Sequence, residues 1–424
     1  MASEAALVIC LLLVFLVVGL PIAVSLGLSG ALGLWLLDFP PLIVIQRLSA
    51  GTESFVLLAI PFFILSGAIM ESGGMSRRLV NFADSLVGFL PGGLANANIG
   101  ASMVFGGISG SSVADTSAVG SVMIPQMERQ GYSQVFSASV TAAASPIGMI
   151  IPPSIPMIVW SFISGQSLNE LFLGGIVPGL LIGVVLMAIS TVLCLMHGFQ
   201  AEFGRFSLHR LAAGVKDGLL ALGAPVIIIG GIVSGKFTPT EASVVAVFYA
   251  LFVTMGVYRE LSWRQLPAIL VSSGKMSASI MFVVACATVF SFFLTVVGLP
   301  QIAGKLFQEF ATTPTAFMLS AGALLFVCGM FLDTTTTILM IGPILYPLIG
   351  GYGIDPLAAT MVFLIVLAVG LVTPPVGLCL FVVATLVPVR VMDVARGCVP
   401  YVIGMLLVAV VIWFFPGLVT WGRS

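Results

Sequence analysis

The chain has 424 residues, 59% of them hydrophobic and 7% charged, with mean hydropathy +1.22. A soluble chain of this length needs far more charge to cover its surface, so the composition is that of an integral membrane protein. A net charge of −1 gives no hold on nucleic acid or on any generally anionic partner. Cys10, Cys194, Cys286, Cys328, Cys379 and Cys398 are scattered through apolar segments without metal-ligand spacing, and are expected to be free, buried thiols.

In chain order, Glu4 and the lack of Lys or Arg before it argue that the run from Ala5 to Leu20 is a first membrane helix and not a signal peptide. Residues 5–37 read as two helices, with Pro21 and Gly27-Leu-Ser-Gly30 offering a turn. A loop containing Arg47 and Glu53 leads to a helix near 55–70. Residues 79–90 alternate apolar positions with Asn81, Asp84 and Ser85, which predicts an amphipathic helix too short to span. It either lies along the interface or packs on protein as a connector. A helical hairpin follows over about 93–128, then a broken helix over about 133–164 and a span near 171–197. The polar stretch 199–217 reads as a cytoplasmic connector between two halves, 1–198 and 218–424. The second half has helices near 219–234 and 240–257, the latter capped by Thr238-Pro-Thr-Glu241. A span near 276–298 and a short amphipathic piece at 301–310 come next. A hairpin over about 314–350, a broken helix over about 357–386 and a last helix near 398–416 complete it.

The hairpins are read from two polar stretches inside apolar sequence. Gly106-Gly-Ile-Ser-Gly-Ser-Ser-Val-Ala-Asp-Thr-Ser117 holds three glycines, four serines, a threonine and a carboxylate, and Gly329-Met-Phe-Leu-Asp-Thr-Thr-Thr-Thr337 is its counterpart. Two short helices meeting at a polar tip explain such a stretch, with the irregular backbone buried or facing a water-filled cavity. A kinked helix whose serines bond back to its own carbonyls is the alternative. Each tip is followed by a Pro-Pro break, Ser145-Pro-Ile-Gly-Met-Ile-Ile-Pro-Pro-Ser154 and Gly370-Leu-Val-Thr-Pro-Pro-Val-Gly377. Paired interruptions at corresponding places in two halves point to a transporter binding site.

Sodium is a hard ion that hydroxyls, carboxylates and the freed carbonyls of an interrupted helix can ligate. The candidate sodium ligands are Ser109, Ser111, Ser112 and Asp115 with Ser145 and Gly148, and Gly329, Asp333, Thr334 and Thr336 with Gly370 and Thr373. Helix N-termini at the same places could receive substrate carboxylates, which nominates Ser112, Thr116, Pro152, Ser154, Thr335, Thr337, Pro374 and Pro375. Hydroxyls that merely glue helices together are the plain alternative. If each hairpin enters and leaves on one side, ten basic residues share a side: Arg77, Arg78, Arg129, Arg205, Arg210, Lys216, Arg259, Arg264, Arg390 and Arg396. Arg47, Lys236, Lys305 and Arg423 lie opposite, and Lys275, taken to sit near a helix end, is left out. The positive-inside rule then places both termini outside and makes the halves inverted repeats. Gly107-Ile-Ser-Gly110 also matches the Gly-x-Ser-Gly of intramembrane serine proteases. His197 and His209, the only histidines, fall in or beside the polar mid-chain segment, away from the tip, so no base is at hand. An ion channel or a Na⁺/H⁺-type antiporter on the same plan is the other reading.

Phe105–Asp115, Thr141-Ala-Ala-Ala-Ser145, Ile150-Ile-Pro-Pro-Ser-Ile-Pro156, Phe237-Thr-Pro-Thr-Glu-Ala242 and Leu371-Val-Thr-Pro-Pro-Val-Gly377 together resemble the large membrane subunit of a tripartite ATP-independent periplasmic (TRAP) transporter, end to end. The second tip departs slightly, with more consecutive threonines than the family usually shows. The resemblance implies an all-α elevator-type carrier of the bacterial inner membrane, with hairpins and broken helices as the moving part. It implies import of an organic acid, a dicarboxylate or a sialic or other sugar acid, driven by a sodium gradient; with no Lys or Arg at either tip or break, at least two Na⁺ per substrate are expected. The expected partners are a small TRAP membrane subunit and a soluble periplasmic substrate-binding protein, which carries most of the selectivity.

Overall fold

The computed structural model describes residues 2–198 and 207–422, and every regular element in them is helical. Positions 199–206 of the expected connector, with Arg205, lie outside the described residues, as does Arg423. Eight helices among the described residues are long and apolar enough to cross a membrane, and several shorter apolar helices accompany them.

The two halves share an order of parts: an amphipathic helix, a helical hairpin, an interrupted helix, and a long closing helix. The first hairpin consists of Gly93–Ser109 and Ser112–Arg129, the second of Pro314–Phe331 and Thr334–Gly351. The first interrupted helix runs Gln134–Ala144, a 3₁₀ turn Ser145–Met149, then Ile155–Ser164; the second runs Pro356–Gly370, then Leu378–Leu386. Pro152–Pro153 and Pro374–Pro375 are cis. Proline has no N–H to continue a helix, and each Pro-Pro pair falls in the gap between the two helical pieces.

These four elements interlock. Gly120, nine residues after the cap of its helix, lets the first hairpin onto Leu386 of the second interrupted helix, at 2.8 Å from an added Cβ. Gly342, nine residues after its own cap, packs the second hairpin onto Ile163 and Trp160 of the first interrupted helix. Backbones also meet directly, Gly106 on Gly148 and Gly329 on Gly370. A Cβ on Gly370 would lie 2.6 Å from the Gly329 carbonyl carbon, while one on Gly322 meets nothing within 4 Å. Gly370→Ala is therefore expected to destabilise by about 1–3 kcal/mol through overpacking. Gly322→Ala, within a helix, should be neutral or stabilising by up to about 1 kcal/mol. Thermal unfolding of the purified protein separates them, and equal shifts would contradict the close packing.

Around this unit stand Ile22–Leu36, Ala59–Ser72, Leu208–Val233, Pro239–Leu251 and Leu266–Val296, packed on one another. Several expectations change here. The turn after the first helix is at Gly19 (φ 89), and Gly27 and Gly30 lie within Ile22–Leu36, against Cys286 and Phe290 of Leu266–Val296. Arg47 is not in a loop; it sits in the last turn of helix Pro41–Ala50, its guanidinium 3.8 Å over the Phe292 ring. The amphipathic helix is Met75–Val87, starting four residues early because Gly74 (φ 75) ends the preceding turn. It packs on the first hairpin and on Leu208–Val233, which is the connector reading. Residues 208–217, assigned to the connector, are helical. Lys275 is the tenth residue of a 31-residue helix, about 14 Å from its start and not near an end. Cys10 is exposed and Cys328 half-buried; the other four thiols are buried. The cap at Thr238 forms as read, with Thr238 N–H donating to Glu241 Oε2 (2.8 Å) and Glu241 N–H to Thr238 Oγ1 (3.3 Å).

Arg78 ties the amphipathic helix to its neighbours. Its side chain is 15% exposed and reaches Glu260 Oε1 (2.7 Å), Asp217 Oδ1 (3.6 Å) and the face of Tyr258 (3.7 Å). The hydrogen bond from Arg78 holds the Glu260 carboxyl below its ordinary 4.5. A depressed carboxylate contributes stability that is full above its unfolded value and is lost as pH falls through the folded one. Arg78→Ala should cost on the order of 1–3 kcal/mol and flatten the acid limb of the stability profile. Arg77→Ala, whose side chain is 65% exposed, should cost less than about 1 kcal/mol. Unfolding midpoints from about pH 7 down to about pH 3, on both sides of the roughly 4.3 carboxylate reference, check both.

Candidate substrate and cation site

A cavity of about 260 Å³ lies between the two hairpin tips. Its wall is made from the first turns of four helices. Ser111, Ser112 and Val113 open Ser112–Arg129; Asp333, Thr334 and Thr335 open Thr334–Gly351; Ile155 and Pro156 open Ile155–Ser164; Leu378 opens Leu378–Leu386. The N-terminal turn of a helix presents unpaired N–H groups and about half a positive charge. Helix Ser112–Arg129 has no side-chain cap, so its first N–H groups have no capping oxygen. No Lys or Arg lines the cavity. Positive potential here comes from backbone ends, and Asp333 at one of them offsets part of it.

The tips are stitched to the breaks by backbone. Ile155 N–H donates to Gly110 O (3.3 Å), and Val376 and Gly377 N–H both donate to Met330 O (3.2 Å each). Gly110 turns the first tip with φ 61, and a Cβ there would sit 2.8 Å from Pro153 O. The two breaks thus hold the two tips in place, with no side chain needed for the contact.

The two aspartates do different work. Asp115 is fully buried, and apart from the Ser102 hydroxyl neither carboxylate oxygen meets a hydrogen-bond donor among the described residues. Ser102 is beside it, and a Cβ on Gly148 would come 3.8 Å from Asp115 Oδ2. The Ser112 hydroxyl is buried and unpartnered. Asp333 is half-buried and caps its helix: Oδ2 accepts from Thr336 N–H (3.1 Å) and Oδ1 from the Thr336 hydroxyl.

The remaining candidates divide by what their hydroxyls already do. Thr116, Ser145, Thr337 and Thr373 each donate to the carbonyl four residues earlier, at 2.7, 2.8, 3.0 and 2.8 Å. Their protons are spent but their lone pairs are not, so they suit a cation and cannot donate to a carboxylate. Thr116 and Thr337 are therefore better placed for a cation than for a substrate carboxylate. Ser154 is likewise engaged: it is fully buried, donates to Met149 O (2.5 Å) and caps Met157 N–H (3.3 Å). Pro152 faces Phe172 and Ile229, away from the cavity, and Pro374 and Pro375 do not line it. Ser112 and Thr335 do line it, as do the cation candidates Ser111, Asp333 and Thr334. Ser109 lines a neighbouring cavity. Gly329 and Gly370 are used in backbone packing, and the Thr334 hydroxyl lies 3.7 Å from Met149 Sδ. Sequence reasoning missed Met276 and Ile280, which form the outer wall. It also missed Ser102, and Cys379 beside Thr116 and Asp115. An unremarkable apolar helix gives no signal for a wall residue.

An all-helical membrane protein whose central cavity is built from interrupted-helix ends and contains no fixed cation belongs to the class of membrane transport proteins. Residues 9–418 match the family model for the tripartite ATP-independent periplasmic transporter, DctM component, and the chain belongs to that family. It is 39% identical over 395 residues to the C4-dicarboxylate TRAP transporter large permease protein DctM of Pseudomonas aeruginosa, covering 92% of each chain. It is 40% identical over 411 residues to the 2,3-diketo-L-gulonate TRAP transporter large permease protein YiaN of Escherichia coli, covering 95% of each. In fold it is similar to the YdaH transporter of Alcanivorax borkumensis, with TM-score 0.65 at 13% identity over 98% of each chain. These relatives are transporter permease proteins, so the chain is not an enzyme and the Gly-x-Ser-Gly match has no catalytic meaning.

Proposed function

We propose that the chain carries a small organic acid inward across the bacterial inner membrane, driven by sodium. The relatives named for C4-dicarboxylate and 2,3-diketo-L-gulonate support the substrate class, a dicarboxylate or a sugar-derived acid. The observation that carries the coupling is Asp115, a fully buried carboxylate with no basic side chain in any ion pair with it among the described residues. Such a charge at membrane depth costs many kcal/mol uncompensated. Sodium at Asp115, with oxygens from Ser102, Ser112, Ser145 and Gly148, supplies the compensation. A second sodium at the other tip would rest on the lone pairs of Thr337 and Thr373 and on carbonyls near Gly329 and Gly370. The substrate carboxylates would take the helix N-termini at Ser112 and Thr335.

The same reading makes the halves, 1–198 and 218–424, inverted repeats with both termini periplasmic. The interlocked hairpins and interrupted helices would move as one body past the helices that include Met276 and Ile280. The partners would be the small TRAP membrane subunit and a periplasmic binding protein that docks outside and hands over substrate. Uptake into proteoliposomes containing both membrane subunits tests this. Saturable uptake is expected only with binding protein and a Na⁺ gradient together. Uptake driven equally by a proton gradient in choline would contradict it.

A further inference from the structure

We infer that a second cavity, beside the central one, is a transient site for a hard monovalent cation leaving the first hairpin. It rests on the sodium-driven reading above. The cavity measures about 150 Å³, and its largely apolar wall carries oxygens from two separately packed groups of helices. Glu71 comes from helix Ala59–Ser72 and Ser272 and Ser273 from helix Leu266–Val296, while Ser109 and Ser111 come from the first tip. Ser111 and Met276 line both cavities, so the two adjoin.

The chemistry is that of a cation site. Glu71 is exposed and forms no ion pair among the described residues. Ser273 is 5% exposed, and its hydroxyl has no hydrogen-bond partner. Helices Ala59–Ser72 and Gly93–Ser109 both end at this cavity, and helix C-termini carry partial negative charge. A carboxylate, four hydroxyls and two carbonyl-bearing helix ends favour sodium. The helix N-termini at Ser111 and Ile155 reach both cavities, so it is the Glu71 carboxylate, present only here, that repels the carboxylates of the substrate and separates the two cargoes. The groups touch at this point: a Cβ on Gly67 would lie 3.5 Å from Ser109 Cα. Since the oxygens belong to both, the site exists only while the first tip stands opposite Glu71. Glu71 lies at the end of its helix that leads to Arg77 and Arg78, the side the basic residues assign to the cytoplasm. It is an exit site.

The test uses the complete transporter in proteoliposomes, with ²²Na⁺ and labelled substrate, in wild type, Glu71→Gln and Ser273→Ala. External sodium dependence of uptake should stay within about twofold of wild type, while the internal sodium needed to inhibit uptake or support exchange rises about fivefold or more for Glu71→Gln. Ser273→Ala should shift in the same direction by less, and carries the test if Glu71→Gln does not fold. Unchanged internal dependence in a folded variant, or equal shifts on both sides, would overturn the exit site. Wild type without sodium dependence on either side would instead remove the sodium-driven reading itself.

Discussion

Asp115→Asn should raise the sodium concentration for half-maximal uptake at least about tenfold, while Asp333→Asn should shift it by less than about threefold. The two residues sit at matching tips, yet their surroundings differ. Asp115 is fully buried with the Ser102 hydroxyl and the positive end of its own helix beside it, and neither carries the full charge that a bound cation would. Removing that charge removes the reason for the ion to bind. Asp333 spends its carboxylate on Thr336 as a helix cap, and Asn caps a helix about as well as Asp. Sodium titration of uptake in both variants, at two pH values, reads the difference. If Asp115→Asn lost its pH response and kept its sodium dependence, Asp115 would be a proton relay.

That asymmetry marks the limit of what the residues alone reveal. The tips, the Pro-Pro breaks and the hairpin bounds were legible because glycine, proline and hydroxyl runs are strong interruptions in apolar sequence. The structured hairpins, 93–129 and 314–351, differ from the expected ones by a residue at one end. Two matched Gly-Asp-hydroxyl stretches look equivalent as text. Only the cap geometry separates Asp333, the first residue before its helix, from Asp115, inside the first turn. The hydroxyls of Ser154 and Thr337 illustrate the same limit, because a hydroxyl's usefulness depends on where its proton already points. Lys275 was misplaced because Ser272-Ser-Gly-Lys275 looks like a helix boundary, whereas it continues a helix from Leu266.

Pro374→Ala and Pro152→Ala should lower uptake more than about tenfold, with protein still inserted in the membrane, while Thr373→Ala should cost about 1 kcal/mol. Thr373 loses one hydroxyl that is bonded to its own helix. A proline lost restores one N–H and weakens the break toward helical bonding, with Pro153 or Pro375 left as its one interruption. The N–H groups of Ile155, Val376 and Gly377 would then return to their own helices and release Gly110 O and Met330 O, the acceptors at the two tips. A helix N-terminus on the cavity would disappear with each. Uptake normalised to membrane-inserted protein distinguishes the two classes. Inactive Thr373→Ala beside normal proline variants would contradict the broken-helix account.

The central claim is that a cavity without a fixed cation binds an anion because sodium binds with it. Moving each unpaired charge against the membrane potential costs about 2.3 kcal/mol per 100 mV, so at least two sodium ions should accompany a dicarboxylate. Linkage then requires sodium to raise substrate affinity and substrate to raise sodium affinity by the same factor. Calorimetric binding of the substrate to the purified complex, in sodium and in choline at equal ionic strength, measures that factor directly. The account predicts an affinity higher by about tenfold or more in sodium, with the gain lost in Asp115→Asn. Equal affinity in sodium and choline would contradict it, and both proposed sodium sites would have to be withdrawn.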